Sequence, residues 1–155
     1  MKNEQKFRYW LIANLVLLSG SMLLMTWFIL GWEPPPDTWP VAGWYFIFTR
    51  IIESVILSSN AGFAWRGILL FLQGVGGIFV MGYVVSKMLK NAKPQGSKAI
   101  SIILLTVVVI FLSSDFADIV LNLPLPGYWL FIVGLLTSAI FEWQRSTFVD
   151  AARPS

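Results

Sequence analysis

The sequence predicts an all-α integral membrane protein with about three to four transmembrane spans, on three observations. The 155-residue chain is 57% hydrophobic and 12% charged, with a mean hydropathy of +0.73, whereas soluble domains carry about 25% charged residues. Its apolar residues fall in long uncharged runs. Proline-containing or lysine-rich segments separate those runs, and proline ends a helix because it cannot donate and clashes with the preceding turn.

The first run lies between Arg8 and Glu33 and exceeds the ~20 apolar residues that cross a bilayer. Trp10, Trp27 and Trp32 stand near its ends, where amphipathic indoles settle at headgroup level. The run is too long for a signal peptide and lacks a small-x-small cleavage site, so it reads as a retained span. "EPPPDTWP" (33–40) breaks it. The apolar segment 41–59 follows, with Arg50 and Glu53 on one helical face. Arg66 and Lys87 bracket a second span, and Lys87, Lys90, Lys93 and Lys98 surround the next loop. A third span covers 99–114, "DFADIVLNLPLP" breaks it, and 127–141 is the last apolar run before the polar tail "EWQRSTFVDAARPS".

Lys2, Lys6 and Arg8 place the N-terminus in the cytoplasm, and the four lysines place the 87–98 loop there too. Helix one then runs outward and 66–87 runs inward. Segment 41–59 must start and finish outside, which predicts a re-entrant or interfacial helix, the re-entrant form turning back at Gly62. Charges such as Arg50 and Glu53 are rare at mid-membrane unless buried in protein or facing water. The 127–141 segment is left open between a short full span, favoured by Arg145 and Arg153, and re-entry.

The absence of cysteine and histidine removes thiolate and imidazole metal sites, disulfides and histidine acid–base chemistry. No catalytic residue, metal or cofactor is expected, and an enzyme is not the expected reading. A net charge of +3 needs no nucleic-acid partner to explain it.

The chain also reads as two related units, 1–90 and 97–155. Each has a helix, a proline-containing loop, an aromatic start (Gly43-Trp44-Tyr45-Phe46 or Gly127-Tyr128-Trp129-Leu130), a shorter apolar helix and a polar turn. Aligned without gaps, Ser54 falls on Ser138, Ile56 on Ile140 and Asn60 on Gln144.

"SVILSSNAGF" resembles the pore loop of the Trk/Ktr/HKT potassium transporters, whose repeats run helix, pore helix, filter loop, helix. Asn60-Ala61-Gly62-Phe63 match the filter, and "LLFLQGVGGIFVM" (69–81) is similar to the glycine-rich inner helix after it. "SAIFEWQRSTFVD" faintly resembles a second pore helix, with Gln144-Arg145-Ser146-Thr147 as a degenerate filter without glycine. The likeness covers nearly all of this chain but about the first third of a typical family member. It implies a helix–pore-loop–helix repeat and a K⁺ or Na⁺ path. In such a path backbone carbonyls replace the ion's water, Gly62 supplies the unusual dihedrals, and the C-terminal end of 44–58 faces the cation. Four filter loops would come from a two-fold homo-oligomer.

Plainer readings compete at each motif. Asn60-Ala61-Gly62 is also an ordinary helix stop. Gly74, Gly76, Gly77 and Gly82 are best explained by close helix packing in lipid. Arg50 and Glu53 read as a structural pair, and Asp115 and Asp118 as a solvated external loop. The lysines read as a topology signal that could meet anionic headgroups. The expected function is monovalent-cation movement across a membrane, for instance a bacterial inner membrane. The rival is a non-transporting accessory subunit of a larger membrane complex.

Overall fold

The computed structural model describes residues 2–23, 29–30, 39–40, 43–58, 64–89, 96–114 and 126–151. Among them are five helices: α1 (Lys2–Leu23), α2 (Gly43–Ser58), α3 (Ala64–Leu89), α4 (Lys98–Ser114) and α5 (Pro126–Ala151). Two short strands, β1 (Ile29–Leu30) and β2 (Trp39–Pro40), pair antiparallel between α1 and α2. The all-α class is therefore as expected.

Local chemistry explains two of the helix starts. Ser97 caps α4: its Oγ accepts a hydrogen bond from the Ile100 N–H at 3.4 Å, and its carbonyl accepts one from Ser101 N–H at 3.0 Å. A serine in that place satisfies a donor that has no intrahelical acceptor. α5 opens on Pro126, whose missing N–H would have been unpaired in the first turn anyway.

Contacts between side chains set the packing. Glu4 of α1 faces Arg145 of α5, and Leu18 faces Gly134, so α1 and α5 are antiparallel. Ser101 reaches Ala139 and Phe111 meets Phe131, so α4 and α5 are antiparallel as well. Gly76 of α3 touches Val107 of α4, while Lys87 meets Glu142 of α5. One end of the bundle thus gathers the start of α1, the end of α3, the start of α4 and the end of α5. Leu11, Leu18, Leu104, Phe111, Phe131 and Leu135 are fully buried in the shared core.

α2 lies along the flank of α3. Gly77 meets Ile47, and Gly74 meets Ile51 and the Ile47 carbonyl, so the two helices are antiparallel. At 1.5 Å per residue α2 is ~24 Å long and α3 ~39 Å. The register sets Gly43 beside about residue 81 of α3 and Ser58 beside about residue 66. The sequence reading had 41–59 descend from the far end and turn back at depth. The helices instead place Ser58 and Ala64 at the end of α3 away from Lys87, so it is the start of α2 that lies partway along the bundle.

α5 corrects a second expectation. The last apolar run was to stop at Phe141 before a polar turn, yet α5 continues unbroken to Ala151. No glycine or proline follows Gly134 until Pro154. The polar residues beyond Phe141 are accommodated within the helix. Ser146 Oγ donates to the Trp143 carbonyl at 2.7 Å and Thr147 Oγ1 to the Gln144 carbonyl at 2.8 Å. The likeness between α2 and the proposed second copy therefore fails at their ends, since one helix has 16 residues and the other 26.

Three of the four glycines expected at helix contacts are there. Gly74 and Gly77 seat α2, and Gly76 seats α4. Gly82 is exposed with nothing within 4 Å of a Cβ built on it. It points away from the contact because it lies five residues past Gly77, on another helical face. Gly82→Ala is expected to leave the melting temperature of the purified protein unchanged or raise it. Alanine is preferred to glycine inside a helix by about 1 kcal/mol.

One described helix, over Trp65–Leu89, is long and apolar enough by length and composition to cross a membrane, and α4 is a shorter apolar helix.

Candidate functional site

The candidate filter, Asn60, Ala61, Gly62 and Phe63, lies outside the described residues. The degenerate copy does not form a filter loop. Gln144 and Thr147 are exposed on α5, and Arg145 and Ser146 are buried. In a helix only the last four carbonyls lack an intrahelical partner, and these four positions precede the last turn of α5. Their carbonyls are committed to the helix and are not free to replace the water of an ion.

Arg50 and Glu53 form the expected structural pair, with Arg50 Nη1 2.7 Å from Glu53 Oε2. They bridge successive turns of α2 itself.

The most strongly constrained polar group is Glu142, which is fully buried on α5. Its Oε1 accepts from the Tyr83 hydroxyl at 2.9 Å and from Lys87 Nζ at 2.6 Å, both on α3. Its Oε2 accepts from the Ser97 N–H at 2.8 Å, just before α4. Ser138, also fully buried, lies beside the Tyr83 hydroxyl one turn earlier on α5. One carboxylate thereby ties together α3, α4 and α5. The backbone must come close for this. A Cβ on Gly96 would lie 2.6 Å from both the Glu142 carbonyl oxygen and Ser146 N, so glycine is what allows residues 96–97 to rest against α5.

Arg145 continues the cluster toward α1. It lies 3.7 Å from Glu4, and its guanidinium carbon sits 5.2 Å from the Phe7 ring centre and 5.7 Å from that of Phe148. Such placement over ring faces is favourable for a desolvated cation.

Sequence reasoning missed Glu142 by assigning it to the polar tail, and read Lys87 as a topology signal that could meet anionic headgroups. A usable sign was present. Phe131, Leu135, Ser138, Glu142 and Arg145 recur at the helical period, so extending the apolar face of α5 past Phe141 puts Glu142 on the buried stripe. Asn14 and Gln73 are two further polar residues drawn into the core.

No family model, curated protein or solved structure matches the chain. Functional inference therefore starts from the cluster and the surface. Both carboxylate oxygens of Glu142 are occupied by protein donors, so this centre acts as a clamp between helices.

Proposed function

We propose that the chain is an integral membrane protein that serves as a non-transporting structural subunit of a larger membrane complex. Support for the bilayer comes from the surface. Phe48, Ile52, Phe71, Ile78, Val109 and Val133 are all exposed, so large apolar side chains face outward on four helices, as lipid-facing surfaces require and soluble monomers seldom show in large patches. Support for the orientation comes from the bundle end that holds Lys6, Arg8, Lys87 and Lys98, which the positive-inside tendency places in the cytoplasm. In that frame α1, α3, α4 and α5 cross, and α2 reaches only part of the way. The loss of transport is carried by the unbroken run of α5 through Gln144–Thr147. A two-fold dimer of this chain offers two candidate loops where the resembled pore uses four.

A K⁺ or Na⁺ path through Asn60–Phe63 is the second reading. It is favoured by the α2–α3 pair, a short helix docked on glycines of a longer one, as the resemblance implies for a pore helix and inner helix. Rb⁺ uptake into liposomes containing the purified protein separates the two. The structural reading expects uptake equal to empty liposomes for both the native chain and Gly62→Ala. Uptake that the substitution abolishes would sink it. The chain has no native cysteine, so single cysteines can map topology. A cysteine at Arg66 is expected to react with an impermeant maleimide in intact cells, and one at Lys6 only after permeabilisation.

A further inference from the structure

A groove of about 350 Å³ opens between α1 and α5, lined by Lys6, Phe7, Trp10, Gln144 and Phe148. Its chemistry has two parts. Three aromatic rings make the trough: Phe7 stacks near Trp10 with centres 6.4 Å apart, and Phe148 lies 6.1 Å from Phe7. Exposed Lys6 and Gln144 supply an ammonium and an amide. Nearby charge is biased the same way. Arg8 is exposed on α1, and Glu4, the carboxylate of that turn, faces Arg145. The groove lies at the bundle end that also holds Lys87 and Lys98.

We propose that this groove binds one anionic phospholipid, with its phosphodiester at Lys6 and Gln144 and an acyl chain passing Phe7 and Trp10 toward the bilayer centre. The inference rests on the bilayer placement above. A cation beside an indole-lined trough at headgroup depth matches the amphipathic shape of a lipid. A free phosphate would satisfy only the Lys6 end, and a zwitterionic lipid lacks the net negative charge that the basic surroundings favour.

The test is native mass spectrometry of the full chain in neutral detergent, titrated with short-chain phosphatidylglycerol or phosphatidylcholine. One phosphatidylglycerol is expected to remain bound in preference to phosphatidylcholine. Lys6→Ala is expected to weaken retention about fivefold, the effect of one cation near a headgroup. Arg66→Ala, at the opposite end of α3, should leave it unchanged. Gln144→Trp, which fills the groove from an exposed position, should abolish binding of the lipid without lowering the melting temperature. Equal retention by Lys6→Ala and the native chain would overturn the proposal, as would equal binding of both lipids. Displacement of the lipid by inorganic phosphate at equal concentration would overturn it too, by assigning the affinity to the rim alone. Alkaline carbonate extraction separates this failure from that of its premise. A chain released into the supernatant refutes the bilayer placement, whereas a chain kept in the pellet with unchanged lipid retention in Lys6→Ala refutes only the lipid site.

Discussion

Glu142→Ala is expected to destabilise the bundle by about 3–5 kcal/mol, because removing one member of a buried ion pair strands the charge of the other. Lys87 loses this carboxylate, which lies 2.6 Å from its ammonium, while its side chain is only 10% exposed. The Tyr83 hydroxyl and the Ser97 N–H lose this acceptor in the same step, and a buried donor left unsatisfied costs about 1–3 kcal/mol. A double variant tests the mechanism. Lys87→Met with Glu142→Gln removes both charges while keeping volume and an acceptor for Tyr83, and paired removal of buried charges is often near neutral. Thermal unfolding in a fixed detergent should therefore show the double variant melting well above Glu142→Ala and above Lys87→Met alone. If the three variants melted together, the ion pair would not be what holds α3 to α5, and the loss would belong to packing around position 142.

That cluster marks where the sequence stopped being legible. The apolar runs that became α1, α3 and α4 were visible because each is long, nearly uncharged and ended by proline or lysine-rich segments. Gly74, Gly76 and Gly77 were recognisable as contact residues because small side chains on an apolar helix have few other uses. Which neighbour each one touches was not readable, because facing partners are set by the tertiary register of α2 and α4. Gly82 shows the same gap from the other side: its type suits a contact, but its helical face does not meet one. Glu142 was misread for a different reason. A charge after an apolar run ordinarily marks the edge of the membrane, and only Lys87, Tyr83 and Ser97, 45 to 59 residues away in the sequence, make burial tolerable. The second filter was read from likeness to a loop, and nothing local to Gln144–Thr147 breaks a helix. The first filter, at 60–63, lies outside the described residues, so its sequence alone still carries it.

The docking of α2 supplies the other large effect. A Cβ at position 77 would lie 2.6–2.7 Å from Cγ1, Cδ1 and Cγ2 of Ile47, closer than packed carbons approach. A rotation about one side-chain bond cannot clear all three, because Cγ1 and Cγ2 branch from the same Cβ. Gly77→Ala must therefore push α2 outward, at a cost of about 1–3 kcal/mol typical of overpacking. Ile47→Ala alone is expected to cost about 2–5 kcal/mol, since Ile47 is fully buried and its removal leaves a cavity. Combined, the two changes return part of the lost volume to the same place, so the double variant should be more stable than the sum of the single losses predicts. Contacting residues show such coupling and distant ones do not, so pairing Ile47→Ala with Gly82→Ala should give a simple sum. Melting of the native chain and the five variants in one detergent reads out both cycles. Additivity in the Ile47–Gly77 cycle would mean that α2 does not rest on that face of α3. It would also remove the feature that most favours a pore-helix reading, because a short helix that does not dock on Gly74 and Gly77 has no fixed position from which to aim its C-terminal end.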